Sequence, residues 1–370
     1  MKIIVLALFV LTFFSCNNPS EKERISVNLE DLIIDTLYLK KDTLTKNLGA
    51  DFRYYATDSG AFLFTFIQHR LLQYSYPEGK LVHQHTFETE GPDGIGSFIS
   101  GHYIDHEYLY LLSQGKELIR TNYQGKVLNR WPHPAVDPLR KYANYSSMGF
   151  NKLQKSGDEL YFVDIPYVIM DGFEAYNKWG VVFNTVTQQF SHFNFYYPNN
   201  ILDFKGDDRL GLFSHVYLPQ YKSHLIGFAI SDSLVKVQNG EQKRIPAGTV
   251  ENLYFKKGTT QSKGEFTVFL PNYESSKYGA LDYVVQAEKV LRWVRIKGPS
   301  EDNKALERHK LLILNPDLIV EAELEFDTDK WGSYGFNTPD GYALPFYQES
   351  TDDIVAFVIV DFGAINKVRK

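Results

Sequence analysis

Two groups of histidines and carboxylates have spacings that could support chemistry. His83 and His85 lie two residues apart in a predicted strand, which places both imidazoles on one face, as a pair of metal ligands requires. No third ligand is identifiable near them, so we interpret them as solvent-facing residues of an outer strand and predict no metal or other cofactor. His102, Asp105 and His106 could form an acid/base group, provided that the fold brings them together.

Other candidate motifs are incomplete. Residues 57–60, Thr-Asp-Ser-Gly, partly resemble the Asp-box turn of sialidase-type propellers, but Ala56 and Leu63 stand where that motif has Ser and Trp. We predict an ordinary hairpin turn there. Residues 327–329, Asp-Thr-Asp, resemble the start of a calcium loop, but Trp331 occupies a position that needs an oxygen ligand. The chain also has no nucleophile elbow, phosphate loop or zincin helix, so we predict no catalytic residue.

Cys16 is the residue with the clearest predicted chemistry. It is the only cysteine of the 370 residues, which excludes a disulfide-stapled domain. Lys2, the apolar run from Ile3 to Phe14 and Ser15 precede it in the order of a secretory signal, and the run is too short to span a bilayer. A polar, charged segment follows. We predict a signal peptide over residues 1–15 and a lipidated polar tether over residues 16–28.

The cysteine's surroundings resemble the lipobox of bacterial lipoproteins. That resemblance implies cleavage before Cys16 and acylation of its sulfur and its new amino group, although Phe13 and Phe14 depart from the usual leucine and small residue. Each buried acyl methylene contributes about 0.8 kcal/mol, so several chains anchor a protein stably. We expect the lipid bilayer to be a partner through Cys16, with a plain signal peptide as the alternative.

The composition of the remaining chain favours β-structure. Aromatic residues make up 15% of the sequence, with 25 Tyr and 27 Phe, and such side chains pack well on pleated sheets. The hydrophobic fraction of 44% allows a large core. A net charge of −6 argues against a nucleic-acid partner.

Short strand-like runs separated by turns fill the chain from residue 29 onward. In the clearest stretch, predicted strands at 108–112, 117–123 and 127–131 are joined by tight Gly-containing turns. The turn before the last strand recurs as Gly79-Lys80 and Gly125-Lys126, each followed by an aliphatic pair. Strands opening near residues 61, 107, 159, 224, 265 and 342 then define repeating units; residues 278–289 could be a helix or a strand.

Such repeated meanders predict a single all-β domain over residues 29–370, a β-propeller of six four-stranded antiparallel blades. Residues 32–40 would be the outer strand that completes the last blade and closes the ring. A two-sheet sandwich is the alternative.

The stretch 90–131 resembles one repeat of NHL-type propellers, with a Gly-Pro-Asp-Gly loop and an aromatic residue before the strands and a Gly-Lys turn before the last one. Together with the lipobox and the tether, the chain is similar to an uncharacterised family of six-bladed propeller lipoproteins of Gram-negative bacteria. The resemblance implies an outer-membrane lipoprotein, facing the periplasm or the surface, and implies no activity.

Three functions remain open. The first is a binding or scaffolding propeller that recognises a peptide, a glycan or an envelope protein. The second is a hydrolase or lyase with its site in the propeller channel, where residues from several blades meet without any sequence spacing to reveal them. The third is a structural accessory of an envelope transport or assembly complex. Three or more convergent carboxylates, histidines or arginines at the channel would favour the enzyme.

Overall fold

The computed structural model describes residues 24–367, except for residues 114–115, 141–142, 147–149, 167–174, 205, 208, 265 and 298–306. Cys16, the predicted signal peptide and most of the predicted tether therefore lie outside the described residues. From Arg24 onward the chain already contacts the propeller: the Arg24 guanidinium lies 2.7 Å from Glu323, and Ile25 bridges to Ala322.

The described residues form six antiparallel sheets around a central channel, so the predicted all-β, six-bladed propeller is confirmed and the sandwich is excluded. The first strand, β1 (Ile33–Lys40), belongs to the last blade. Blades 1 and 2 consist of β2 (Arg53–Thr57), β3 (Gly60–Ile67), β4 (Arg70–Ser75) and β5 (Leu81–Thr86), and of β6 (Ile99–Ile104), β7 (Tyr108–Ser113), β8 (Glu117–Asn122) and β9 (Val127–Pro132).

The other blades are less regular. Blade 3 consists of β10 (Tyr145–Ser146), β11 (Gln154–Ser156), β12 (Glu159–Asp164), β13 (Gly180–Asn184) and β14 (Gln189–Phe193), with β10 and β11 both paired to β12. Blade 4 consists of β15 (Phe213–Leu218), β16 (Ser223–Phe228), β17 (Ser233–Gln238) and β18 (Glu241–Pro246). A separate hairpin, β19 (Thr259–Lys263) and β20 (Phe266–Leu270), follows.

Blade 5 consists of β21 (Lys277–Val284), β22 (Lys289–Lys297), β23 (Glu307–Leu314) and β24 (Val320–Glu325). Blade 6 consists of β25 (Phe336–Asn337), β26 (Tyr342–Phe346), β27 (Ile354–Val360) and β1. Helical structure in the described part of the chain is limited to short 3-10 turns, at Leu29–Leu32, Asn199–Phe204, Pro219–Tyr221, Tyr347–Glu349 and Phe362–Asn366.

Strand β1 closes the ring as predicted. It pairs antiparallel with β27, for example Leu37 opposite Phe357, and forms the outer edge of blade 6. Gly79, from the repeated Gly-Lys turn of blade 1, lies against it: a Cβ at Gly79 would be 1.8 Å from the Tyr38 carbonyl oxygen. Gly79 has a φ of +64°, which other residues rarely adopt. Glycine is therefore required at position 79 for two reasons: the turn needs a positive φ, and the close approach of β1 leaves no space for a side chain.

The hydrophobic core lies between the blades. Each of its clusters draws buried side chains from two neighbouring blades, including the junction of blades 6 and 1, where Phe52, Phe336 and Phe357 pack with their ring centroids within 6 Å. Burial of large rings between sheets is the strongest stabilising contribution in such a core. The aromatic content that predicted β-structure thus forms the contacts between blades.

Two details of the predicted strand order are wrong. The strand near residue 265 does not open a blade; it belongs to the hairpin β19–β20 between blades 4 and 5. Residues 277–284, ambiguous in sequence, form β21, the true first strand of blade 5. In blades 1, 2, 3, 4 and 6 the first strand precedes the predicted opening strand. These inner strands are short or carry polar residues toward the channel, so they lack the continuous apolar pattern used to recognise strands.

Candidate functional site in the central channel

The first strand of every blade lines a common cavity along the propeller axis. Its volume is about 500 Å³. It runs from Asp51, just before β2, to the loops that follow β15, β21 and β25. These loops connect the first and second strands of their blades, and we call the side of the propeller on which they lie the mouth face. The opposite side, which has the connections between blades, is the back face. The lining includes charged and aromatic residues from all six blades: Asp51, Arg53, Tyr54, Tyr55, Tyr103, Lys152, Gln154, Lys155, His215, Tyr217, Asp282, Tyr283, Phe336 and Asn337.

A first polar cluster joins blades 3, 5 and 6 across the channel. Lys152 Nζ lies 2.8 Å from Asp282 Oδ2 and donates to the Gly335 carbonyl at 2.6 Å. The Tyr342 hydroxyl donates to the same Asp282 oxygen at 2.5 Å. Burial and the Asp282 charge raise the pKa of Tyr342 well above its ordinary value. The cluster is a cross-link between these three blades.

A second polar cluster lies beside the first strands of blades 1 and 2. His102 Nε2 is 3.5 Å from Asp51 Oδ2. Arg53 donates to the Leu153 carbonyl at 2.8 Å, and its guanidinium lies 4.7 Å from the Tyr103 ring centroid. Burial lowers the pKa of His102, although Asp51 opposes this; burial would raise the pKa of Asp51, but the charges of His102, Lys152 and Arg53 outweigh it and lower that pKa. The lowered pKa of Asp51 keeps its carboxylate ionised beside the His102 ring.

The wall formed by blades 3 and 4 contains a buried histidine pair. His215 Nε2 lies 3.0 Å from His224 Nδ1, and Gln154 Nε2 lies 3.4 Å from His215 Nδ1. The Tyr217 amide donates to Gln154 Oε1 at 2.7 Å, which turns the Gln154 amino group toward His215. Because an amide NH₂ only donates, His215 accepts at Nδ1 and donates from Nε2 to His224.

Burial keeps both histidines neutral. Burial lowers the pKa of His215 well below its ordinary value and that of His224 to about 3. The His224 ring also stacks on Phe193 with centroids 3.6 Å apart. Both nitrogens of His215 are engaged, so it serves as a rigid part of the wall.

The sequence suggested that His102, Asp105 and His106 form an acid/base group. In the structure only His102 lies beside a carboxylate that could act with it, that of Asp51. Asp105 instead pairs with Lys155 at 2.9 Å, in the loop after β6 on the mouth face. The ring of His106 packs on Tyr55, with centroids 4.2 Å apart. The His106 backbone amide donates to Asp105 Oδ1 at 2.9 Å within this loop. No hydrogen bond or ion pair among the described residues connects His102 to either of them, because Asp105 and His106 lie beyond the end of β6 while His102 lies within it.

The other sequence candidates have local structural roles. His83 and His85 are on β5, the outer strand of blade 1, where His83 is exposed and His85 packs edge-on against Phe87 at 5.0 Å. Asp58 lies in the predicted hairpin turn, between β2 and β3. Residues 327–329 also form a turn, in which Asp327 accepts from the Asp329 amide at 2.9 Å. The described part of the chain contains no group of three or more His, Cys, Asp or Glu placed to hold a metal ion.

The residues missed from sequence share one signal. Asp51 and Arg53, Lys152 and Gln154, His215 and Asp282 occupy equivalent places, within or just before the first strand of a blade. If the sequences of the blades had been aligned on their first strands, these polar residues would have fallen at equivalent positions. The weak apolar pattern of the first strands hid that alignment.

Comparisons with known proteins agree with the geometry. The model of a family described as a domain of unknown function, DUF4221, matches residues 26–316. A crystal structure of a DUF4221 member from Bacteroides vulgatus superimposes with a TM-score of 0.70 at 13% identity, covering 89% of this chain and 97% of that one. A protein from Bacteroides fragilis, whose name predicts that it is exported, superimposes with a TM-score of 0.52 at 12% identity, covering 91% and 99%.

No curated protein matches the chain. In the part that the structure describes, no helix is long and apolar enough to cross a membrane.

Proposed function

Since the chain belongs to the DUF4221 family, whose description assigns no activity, we propose a function from the geometry of the chain itself. We propose that the protein is a ligand-binding propeller anchored in the bacterial cell envelope through acylated Cys16. The observation that carries the binding role is the channel cavity of about 500 Å³. A cavity of this size, with aromatic walls and a few fixed polar groups, is typical of small-ligand sites.

The lining favours a neutral oligosaccharide as the ligand class. Lys152 with Asp282 and Lys155 with Asp105 are paired, so the wall offers little net charge to an ion. Tyrosines 54, 55, 103, 217 and 283 supply ring faces and hydroxyl groups around the cavity. Sugar rings present apolar C–H faces to aromatic rings and hydroxyl groups to polar side chains, which is the combination that this wall provides.

The proposal of membrane anchoring rests on the sequence around Cys16. It is supported by the similar structure from Bacteroides fragilis, whose name predicts that the protein is exported. We expect the native protein to sediment with the membrane fraction and Cys16→Ser to be released from it. Intact mass of the native protein provides the second readout. A native mass equal to that of the bare polypeptide would contradict acylation.

A hydrolase or lyase acting in the same channel is the second candidate. Asp51, Arg53 and His215 line the channel cavity, and His102 lies 3.5 Å from Asp51 outside that lining, so the convergence of carboxylate, histidine and arginine expected for an enzyme is present. The Asp51 carboxylate, with the His102 imidazole beside it, could exchange protons with a bound ligand. The candidate ranks second because the other polar lining groups, Lys152 and Asp282, are occupied by each other.

Calorimetric titration of the full-length protein in detergent with chito-, cello- and malto-oligosaccharides tests the binding role. We expect saturable binding of one series, weakened at least about tenfold by Tyr54→Leu, which removes a channel ring but keeps apolar volume. Tyr347→Ala, a 52% exposed tyrosine outside the cavity, is the control and should bind normally. Absence of saturable binding in all three series would overturn the proposal. Product formation that Asp51→Asn abolishes would establish the enzyme instead.

A further inference from the structure

Two long connections between blades meet on the back face. Residues 194–212 join blade 3 to blade 4, and residues 247–276, which include the hairpin β19–β20, join blade 4 to blade 5. Arg209 of the first connection donates to the Asn272 carbonyl of the second at 3.1 Å and lies 4.5 Å from the Tyr273 ring centroid. The Gly258 amide donates to Asp207 at 2.9 Å. Loops fixed on a rigid scaffold are frequent binding sites.

Lys277 lies where these connections reach blade 5. It is the first residue of β21 and stands directly opposite Arg295 of β22. We call Lys277, Arg295 and Arg209 the cationic shelf. Like charges directly opposite each other on paired strands are unfavourable. Arg295 has a counter-charge, Glu307, at 2.7 Å, but no carboxylate of the described residues lies within ion-pair distance of Lys277.

The electrostatic surroundings of Lys277 are consistent with an uncompensated charge. Burial lowers the pKa of its ammonium group, and the charges of Arg209 and Arg295 lower it further. Glu307 opposes this shift without reversing it. Retention of a cation at such a position has a cost to stability, which a bound anion would offset.

A cavity adjoins this lysine. Its volume is about 50 Å³, enough for a group of a few heavy atoms. Lys277 and Arg209 line it together with Ser214, Phe150 and Tyr334. The site therefore offers the Lys277 ammonium group, in the positive field of Arg209, to a ligand no larger than a single acid group.

We propose that the cationic shelf binds a small oxyanion group, a carboxylate or a phosphate, in the cavity beside Lys277. This site lies on the back face, apart from the channel mouth, and does not depend on the oligosaccharide proposal. The oxyanion would supply the negative charge that the described residues do not give to Lys277. A cavity of this size beside one lysine suits the terminal group of a ligand or a free ion.

Thermal unfolding of the full-length protein, titrated with inorganic phosphate and separately with acetate, tests the inference. Ionic strength is kept constant with chloride, because screening of the three cations would by itself stabilise the protein. We expect one of the two anions to raise the Tm of the wild type saturably, by at least about 2 °C. A preference for phosphate or for acetate identifies which acid group the site takes.

Lys277→Met supplies the decisive comparison. We expect its Tm without added anion to equal or exceed that of the wild type, and its anion response to fall to less than half. Lys277→Arg should keep the response. Lys243→Met, the same change at an exposed position on β18, should behave as the wild type. An unchanged response in Lys277→Met, no saturable response in the wild type, or a Tm of Lys277→Met below that of Lys243→Met would each overturn the inference.

Discussion

Lys152 in the channel and Lys277 on the back face are both partly shielded from solvent, yet their surroundings are opposite. Lys152 has a carboxylate at 2.8 Å and a carbonyl at 2.6 Å, from two other blades. Lys277 faces two arginines and no carboxylate of the described residues within ion-pair distance. The channel pair fixes the relative positions of blades that are not neighbours in the ring, whereas the shelf leaves a charge for something outside the chain.

This difference separates structural charges from candidate functional ones. A paired buried charge is costly to break but contributes little recognition, because its partner already satisfies it. An uncompensated charge is a candidate site, because a ligand can lower its energy. By this criterion the polar channel groups position the wall, and the shelf is the candidate site for an anion.

Asp282→Asn is expected to give the largest effect. The substitution keeps the shape of the side chain but leaves the Lys152 ammonium without its counter-charge in a largely enclosed site. Loss of one partner of such a pair should lower the free energy of unfolding by about 3 kcal/mol. Chemical denaturation measures it, with Asp58→Asn in the exposed hairpin turn as the control.

The double variant Asp282→Asn/Lys152→Met distinguishes the cause. Since the stranded ammonium is then absent, much of the lost stability should return. If Asp282→Asn costs no more than Lys277→Met, the two lysines do not differ as the structure indicates.

Acid should weaken the channel wall through the histidine pair. The folded protein keeps His224 neutral down to a pKa of about 3, whereas in the unfolded chain it takes up a proton near pH 6.5. Its contribution is therefore fully present above pH 6.5 and is lost as the pH falls from 6.5 toward 3. By pH 5 the loss should be about 2 kcal/mol.

His224→Asn isolates this contribution, because the asparagine oxygen can accept from His215 without titrating. The dependence of stability on pH between 6.5 and 5 should become shallower than in the wild type. His83→Asn, on the outer strand of blade 1, should leave the slope as it is. Equal slopes in His224→Asn and the wild type would show that the pair does not stay neutral in the folded protein.

The sequence predicted the architecture better than the sites. Middle strands, such as β7 and β27, are buried between blades and have long apolar runs, so they were found within a residue or two. The first strands carry Arg53, His215 and Asp282, and their polar character concealed them. The shelf could not be predicted, because Arg209 and Lys277 come from a connection and a strand far apart in sequence and meet only through ring geometry. Cys16 was identified by sequence alone and stays a prediction.

Glu307→Gln should give the smallest effect and is the finest test of the contrast between the two regions. Burial opposes ionisation of Glu307, but hydrogen bonds from Arg295 and Lys297 outweigh it and lower the pKa of the carboxyl to about 2. Removing this charge leaves the shelf more positive, so affinity for the anion that stabilises the wild type should rise about fivefold at low salt. The gain should shrink as ionic strength increases, and Glu241→Gln on the exposed strand β18 should show none. Because Glu307 lies outside the channel lining, oligosaccharide binding should not change in the same variant. An unchanged anion affinity would mean that the charge of the shelf does not reach the cavity beside Lys277.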